Sequence, residues 1–292
     1  MSRHLEMQNT VHFKICRSGL GDKLTGILGA LVYCRLTKKQ LVVEWVHEAC
    51  QWGYYDDALF DFPFSILRSV DHHAPERIES REDSTYLSPV CLLKNSQVDF
   101  ATLLEMFTEC ARINFRPSQA MTFPTELSNA IGIHLRRSDK IVSLPNSFSV
   151  TRREYDAMMD RMMEYIQNSM ANGATYYICS EDAEYAGLFK KSLLNMANSK
   201  DLKINLVEPV CNLSHQGADA VFDLFCLSRC KRILQGTQYS TFSIMAAMIG
   251  NVDMYNFCKH DAKSAIYAWA PCLNLKLVVN QQEDAATSLR VI

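Results

Sequence analysis

From residue 130 onward, the sequence alternates between short β-rich runs and longer runs with helical spacing. The β-rich runs are AIGIHL, TYYICS, LKINLVEP, KRILQG and VDMYNF, and VDMYNF is predicted to be the last strand. Helical patterns separate them, beginning with TRREYDAMMDRMMEYIQNSMANG. Strands that alternate with helices of about 10–20 residues form parallel sheets with helices on both faces. The pattern therefore predicts a doubly wound α/β unit.

The start of the chain carries a smaller pattern of the same kind. VHFKIC (11–16) and QLVVEW (40–45) have the character of strands. Between them, LTGILGALVYCRL (24–36) has apolar residues at helical spacing, after a turn predicted over CRSGLGDK. Such a βαβ unit normally has parallel strands joined by a right-handed crossover.

The stretch between these two patterns is harder to interpret. Residues 46–125 are rich in turn-forming residues, apart from a predicted helix over 98–115. The segment 116–129 contains two prolines and little periodicity, which is typical of a linker. A chain of 292 residues has room for about two domains. We therefore expect two Rossmann-like domains, residues 1–122 and 128–292.

Composition and charge exclude several classes of protein. The 30 Lys+Arg and 32 Asp+Glu residues nearly cancel, so we expect no general affinity for nucleic acid or anionic membranes. No stretch approaches the roughly 20 apolar residues that span a bilayer, and the first residues lack the apolar core of a signal peptide. The eleven cysteines are scattered without paired C-x-x-C spacing, which favours reduced core thiols. We expect a cytoplasmic protein without a membrane span.

The densest group of polar residues follows the AIGIHL run. Arg136, Arg137 and Lys140 follow this strand closely, with His134 at its end and Asp139 in the same turn. A planar guanidinium suits bidentate binding of phosphate oxygens, and a carboxylate can orient a histidine or an arginine. Ligands gather beyond the carboxyl ends of parallel strands, so this loop predicts an anion site.

The loop after the first strand is a weaker candidate. Gly19 and Gly21 enter a helix, where backbone N–H groups can approach a phosphate. The loop lacks both the G-x-G-x-x-G spacing and the Walker pattern, so neither NAD nor P-loop nucleotide binding is supported. A tight turn in which Asp22 caps the helix explains the same residues.

Three further positions allow two interpretations each. Ser180, Glu181 and Asp182 follow a strand, where they can cap a helix or bind a ribose or a base. The hydroxyl-rich residues 237–241 start a helix and can hold phosphate. Asp223 lies among apolar residues and needs a partner, either a protein donor or a ligand donor such as a guanine N–H. Together, the strand-end loops predict a site for a nucleoside diphosphate.

These residues carry a resemblance to a known family. GIHLRRSDK resembles the H-x-R-R-x-D motif of the α1,6-, α1,2- and protein-O-fucosyltransferase superfamily. YYICSEDAEY is similar to its second motif, and DLFCLSRCKRILQGTQYSTFSIMAA is similar to its third. RSGLGDKLTGILGALVYCRLTKKQLVVEW resembles the first βαβ unit, especially that of nodulation-type α1,6-fucosyltransferases.

The resemblance implies a fold and an activity. The fold is of GT-B type, with two Rossmann-like domains that face a central cleft and a final helix that crosses back to the first domain. The activity is transfer of fucose from GDP-fucose to a glycan or another hydroxyl acceptor, with inversion at the anomeric carbon. No metal cofactor is implied, and the sequence contains no Asp-x-Asp.

The same resemblance implies roles for the residues after the AIGIHL strand. Arg136 would contact the β-phosphate and assist the departure of GDP. Arg137 and His134 would support this site. Asp139 would fix His134 or the arginines, and Lys140 would reach the phosphates or the acceptor.

Roles are also implied for the other strand-end loops. Glu181 and Asp182 would lie near the guanosine, and Asp223 would bind guanine N–H groups. Ser240 and Thr241 would hold phosphate.

One departure from the family concerns the general base. The α1,6 enzymes have a glutamate four residues after the lysine of the motif, where this chain has Leu144. Asp22 and Glu44 are the remaining candidates for the base, while Gly19 and Gly21 would approach the diphosphate. The departure keeps two other functions open: a GDP-sugar-binding protein without transfer activity, and a transferase that uses another GDP-sugar.

Overall fold

The two halves of the chain form separate compact units. The computed structural model describes residues 10–15, 19–45, 59–67, 77–79, 88–89, 92, 97–137, 141, 149–215, 217–259, 266, 269–278 and 283–285. The first unit comprises 1–122 with 211–222, and the second comprises 123–210 with 223–292.

The segment 211–222 belongs to the first unit, whereas the sequence-based division placed it in the second domain. The Asn212 side chain accounts for part of this difference. Its Nδ2 donates to the Ala120 carbonyl at 2.7 Å, and its Oδ1 accepts from the Thr122 amide at 3.4 Å.

The first unit is built on a parallel sheet with the strand order β3-β2-β1-β4. Its described elements are β1 (Thr10–Lys14), α1 (Leu20–Thr37), β2 (Gln40–Glu44), β3 (Ser65–Leu67), β4 (Arg77–Glu79) and α2 (Phe100–Asn114). The predicted βαβ unit at the start of the chain is therefore present.

Helix α1 begins at Leu20, four residues earlier than the apolar spacing predicts. Gly19 is its N-cap residue, and Gly21 and Asp22 lie in its first turn instead of in a loop. The helix ends where Lys38 takes a left-handed conformation with φ 57°. Most of the helix is buried, because it packs on both the sheet and α2. Gly19 and Gly21 therefore belong to the start of α1 and not to a loop before it.

The second unit contains a larger sheet with the strand order β11-β10-β9-β8-β5-β6-β7. Every neighbouring pair is parallel except β10 and β11. Its described strands and helices are β5 (Ala130–Leu135), α3 (Arg152–Ser169), β6 (Ala174–Ser180), α4 (Ala183–Ser199), β7 (Ile204–Val207), α5 (Ala218–Ser228), β8 (Arg232–Gly236), α6 (Thr241–Gly250), β9 (Asp253–Asn256), β10 (Leu275–Val278) and β11 (Glu283–Ala285). Residues 218–222 of α5 are counted with the first unit. Short 3-10 helices cover Thr125–Asn129 and Ala270–Cys272. The predicted α/β class with parallel sheets is confirmed.

The prediction that VDMYNF is the last strand is wrong, because β10 and β11 follow it. Both are short edge strands, and the sequence around them lacks the helix–strand alternation that identified the earlier strands. The described residues at this end of the chain, 269–278 and 283–285, form strands and a 3-10 helix. The final helix that the resemblance implies stays a prediction, because residues 279–282 and 286–292 lie outside the described residues.

The two faces of β5 meet different helices. Ile133 and Leu135 are fully buried with Met158 and Met162 of α3 in one apolar cluster. A Cβ added at Gly132, on the opposite face, would lie 2.8 Å from Leu227 Cδ2 of α5. The methionines of α3 are therefore core residues, and glycine lets α5 approach the sheet closely.

The eight cysteines that the structure describes are all free thiols, as the sequence predicted. Cys226 and Cys230, four residues apart, are almost completely buried. Burial raises the pKa of both thiols, to about 12 for Cys230, so they stay protonated and unreactive.

Within the described part of the chain, no helix combines the length and the apolar character needed to cross a bilayer.

Two helical glycines give a matched test of the packing between α5 and α6. A Cβ at Gly250, the last residue of α6, would lie 1.9 Å from the Ser228 carbonyl oxygen, whereas one at Gly187 in α4 would meet nothing within 4 Å. We expect Gly250→Ala to lower the free energy of unfolding by about 2 kcal/mol, because the backbone must shift. Gly187→Ala should raise it by about 1 kcal/mol through helix propensity. Chemical denaturation measures both, and equal effects would contradict the close packing.

Candidate functional site

The second unit has a topological switch point between β5 and β8. From β5 the chain passes through α3 to β6 on one side, whereas β8, reached later through α5, pairs with β5 on the other side. Ligands of open α/β sheets bind at the carboxyl ends of the strands beside such a point. Leu135 pairs with both Ser180 and Gly236, so the carboxyl ends of β6, β5 and β8 lie side by side. The structure thus brings three of the predicted loops to one edge.

His134 is held by helix α6. Its Nδ1 lies 2.6 Å from Ser243 Oγ, and its ring centroid is 5.0 Å from that of Phe242. The imidazole is buried, so this hydrogen bond fixes the ring orientation. The sequence predicted that Asp139 fixes His134 or the arginines. Asp139 and Lys140 lie outside the described residues, and the partner that the structure shows is Ser243.

The second of the two arginines after β5 contacts the residues that follow β6. Arg137 donates its backbone N–H to Glu181 Oε1 at 2.8 Å, and its guanidinium lies 4.0 Å from Asp182 Oδ2. The guanidinium also lies over the Tyr185 ring, 5.0 Å from the centroid. Arg136 is partly buried. The acids after β6 therefore position Arg137.

The sequence left open whether Asp182 caps a helix or binds a nucleoside. Its Oδ1 accepts from the Tyr185 amide at 2.9 Å, which makes Asp182 the N-cap of α4. The capping interpretation is therefore correct for Asp182. Contact of Glu181 and Asp182 with a guanosine stays a prediction.

Asp223 has a protein donor. The Tyr177 hydroxyl lies 2.5 Å from Asp223 Oδ1, and both residues lie where α5 packs on β6. Burial, the largest cause, raises the pKa of Tyr177 well above its usual value, so the hydroxyl stays protonated and donates. A carboxylate has about four acceptor positions, so one tyrosine does not saturate it. Asp223 keeps the capacity to accept from a ligand.

The loop between β8 and α6 contains three buried side-chain oxygens without a hydrogen-bond partner in the described chain. They are Thr237 Oγ1, Gln238 Oε1 and Ser240 Oγ. Ser240 is the N-cap residue of α6, yet its side chain makes no capping hydrogen bond. The first turn of a helix presents backbone N–H groups that favour anions. Unpartnered hydroxyls at such a helix start are typical of a site that a ligand completes.

The predicted residues of the first unit lie at the carboxyl ends of β1 and β2. Asp22 is exposed, whereas Glu44 is buried at the end of β2. Lys23, which the sequence analysis did not single out, is also buried, and its Nζ lies 6.0 Å from the centroid of the Trp45 ring. Gly19 and Gly21 open the same helix. The roles of all four predicted residues stay predictions.

The sequence analysis also missed four residues of the second unit, Tyr177, Ser243, Gln235 and Asn256. Each of these residues lies in an apolar run, where a polar side chain needs a hydrogen-bond partner. In the sequence, this pattern led only to the prediction for Asp223. Among the described residues, no group of three or more His, Cys, Asp and Glu side chains is placed to hold a metal ion.

The hydrogen bond between Tyr177 and Asp223 predicts a difference between two neighbouring tyrosines. Tyr177→Phe should lower the free energy of unfolding by about 1.5–3 kcal/mol, because a half-buried carboxylate loses a donor. Tyr176→Phe is the control, since the buried Tyr176 hydroxyl makes no hydrogen bond to the described residues. Urea denaturation measures both variants. Equal destabilisation would show that the Tyr177 hydroxyl contributes nothing specific.

Comparison with known proteins finds similarity in structure and not in sequence. The sequence matches no protein-family model and no curated protein. A mutant of Arabidopsis thaliana FUT1 in complex with GDP is similar in structure, with a TM-score of 0.53, 16% identity, and coverage of 87% of this chain and 74% of that one.

Two other solved fucosyltransferases are less similar. NodZ α1,6-fucosyltransferase soaked with GDP-fucose has a TM-score of 0.45 and 14% identity, with 82% of this chain and 92% of that one covered. POFUT1 in complex with GDP-fucose has a TM-score of 0.47 and 9% identity, with 84% and 94% covered. Of these three similarities, that to FUT1 has a TM-score above 0.5, and the assignment of the fold rests on it. The chain therefore has a fold similar to that of FUT1, and the predicted GT-B-type fold class is confirmed.

Proposed function

We propose that this chain is a glycosyltransferase that moves fucose from GDP-fucose to a hydroxyl of a glycan or another acceptor. Transfer would invert the anomeric carbon and need no metal. The observation that carries the proposal is the edge at β6, β5 and β8, where a positioned arginine follows β5 and the start of α6 follows the neighbouring strand β8. Cationic and N–H donors at one strand edge suit a diphosphate.

The proposed chemistry follows from the charge of the leaving group. As the bond between fucose and GDP breaks, negative charge grows on the β-phosphate. Arginine side chains and helix N–H groups that are already oriented stabilise this charge without reorganisation. Glu181 and Asp182 would supply that orientation for Arg137, and Arg136 would contact the β-phosphate. Lys140 would act on the phosphates or the acceptor.

Base recognition is assigned to Asp223. Guanine presents two adjacent N–H donors, whereas adenine has no matching pair at that edge. The Asp223 carboxylate, which already accepts from Tyr177, has acceptor positions that suit such donors. His134, held by Ser243, and the hydroxyls of Ser240 and Thr241 would complete the nucleotide site.

The first unit would supply the acceptor side. Asp22 and Glu44 are the carboxylates that we propose for proton removal from the acceptor, and Gly19 and Gly21 would let the backbone approach the diphosphate. If neither acts as a base, departure of GDP drives the reaction. FUT1 was solved with GDP, which agrees with a nucleotide site in this fold.

A GDP-sugar-binding protein without transfer activity is the second candidate. The observation that favours it is Leu144, at the position where the α1,6 enzymes have a glutamate. Calorimetric titration with GDP, followed by acceptor-dependent GDP release from GDP-fucose, separates the candidates. Binding without turnover supports the binding protein, and a panel of GDP-sugars identifies a transferase that prefers another donor.

Replacing Arg136 tests the proposed catalysis. Arg136→Ala should reduce turnover of GDP-fucose by about 10²–10³, because one preorganised donor to the leaving group is lost. Arg153→Ala, at an exposed arginine of α3, is the control and should keep wild-type turnover. GDP release measures turnover, and thermal melting verifies that both variants fold. Near-wild-type turnover in Arg136→Ala would overturn the catalytic assignment.

Replacing Asp223 tests the proposed base recognition. Asp223→Asn should weaken GDP binding by about 10- to 100-fold and reduce the preference for GDP over ADP, because an amide cannot accept two N–H donors as a carboxylate does. Asp219→Asn, at an exposed aspartate of the same helix, is the matched control. Isothermal titration measures both affinities. An unchanged ratio of GDP to ADP affinity in Asp223→Asn would contradict this role.

A further inference from the structure

A pair of buried amides lies beside the loop 237–240. Gln235 of β8 and Asn256 of β9 are paired in register, and neither residue has any exposed surface. Polar side chains at this depth need hydrogen bonds, because their desolvation is otherwise uncompensated. The sequence and the proposed function give no role to this pair.

The two amides bind the carbonyl groups of the loop. Asn256 Nδ2 lies 2.6 Å from Gln235 Oε1, 2.9 Å from the Thr237 carbonyl oxygen and 3.2 Å from that of Gln238. Gln235 Nε2 donates to the Ser240 carbonyl at 3.3 Å. Asn256 therefore holds the carbonyls of Thr237 and Gln238, whereas the Ser240 carbonyl also accepts from the Ile244 amide at 3.1 Å, within α6.

Three side-chain oxygens of the loop do not contribute to its shape. Thr237 Oγ1, Gln238 Oε1 and Ser240 Oγ are buried and make no hydrogen bond to the residues that the structure describes. The hydrogen bonds from Gln235 and Asn256, on the neighbouring strands, therefore help to fix the loop. Asn256 is itself anchored, because its Oδ1 accepts from the Cys258 amide at 2.9 Å.

Fixing the carbonyls also fixes the amides. In a trans peptide, the N–H points opposite to the carbonyl of the same peptide unit, and the described chain has no cis peptide. The N–H groups of Gln238, Tyr239 and Thr241 therefore point away from the buried amide pair. Backbone N–H groups at the start of a helix favour an anion.

We infer that Gln235 and Asn256 are positioning residues that shape the loop 237–240 into the diphosphate-binding part of the nucleotide site. The inference rests on the proposed function and goes beyond it, because neither side chain contacts the ligand. Two apolar side chains of the same size would fill the space, but they would leave the carbonyls of Thr237 and Gln238 without their donor. The loop would then be free to turn its carbonyl dipoles toward the anion.

Asn256→Asp tests the inference, because it keeps the shape of the side chain and replaces the donors with a carboxylate. We expect GDP affinity to fall at least 10-fold, while guanosine affinity stays within about twofold, since the base contacts lie elsewhere. Asn205→Asp, at an exposed position of β7, introduces the same charge and should change neither affinity. Isothermal titration with GDP and with guanosine measures the difference.

A second variant tests the same inference if Asn256→Asp does not fold. Gln235→Met keeps the volume of the side chain and removes its amide, and it should lower GDP affinity in the same selective way. Thermal melting identifies which variants are folded. Folded variants that bind GDP like the wild type, or that lose GDP and guanosine equally, overturn the inference while the proposed function stands. A wild-type protein that binds no GDP overturns the proposed function itself.

Discussion

Parallel pairing of β5 with both β6 and β8 is the constraint on which the candidate site depends. This pairing places Leu135 between Ser180 and Gly236, so that three strands end at one level. Because the strands are parallel, the loops that follow them leave on the same edge of the sheet. Residues that are far apart in the sequence, such as Arg137 and Glu181, thereby become neighbours. A shift of one residue in this register would turn the side chains of β5 to opposite faces.

The buried polar groups of the second unit divide into two kinds. Tyr177 with Asp223, His134 with Ser243, and Gln235 with Asn256 are hydrogen-bonded pairs that join strands and helices. The other kind is buried without a partner in the described chain, and it includes the side-chain oxygens of Thr237, Gln238 and Ser240. Each unsatisfied group costs about 1–3 kcal/mol. The well-packed pairs around the loop stabilise a conformation that the loop would not adopt alone.

Several elements were predictable because their signals are local. The strand Ala130–Leu135 agrees with its prediction residue for residue, since an apolar run bounded by polar residues is unambiguous. The start of α1 was placed too late, because the glycines at its N-cap and in its first turn suggested a loop. The strands β10 and β11 were missed, since short edge strands have weak patterns. Asp182 caps a helix and lies beside Arg137. Sequence spacing alone could not distinguish these two roles from a contact with a nucleoside.

The sequence by itself determined the α/β class, the strands around the site, and the residue types that point to a nucleoside diphosphate. Hydrophobic periodicity and strand-end polar residues carry that information, because they depend on neighbours along the chain. Only the tertiary structure decided the partners: Tyr177 for Asp223, Ser243 for His134, and the Gln235–Asn256 pair for the loop. It also assigned residues 211–222 to the first unit. These outcomes depend on strand order, register and helix packing, which bring together residues separated by as many as 109 positions.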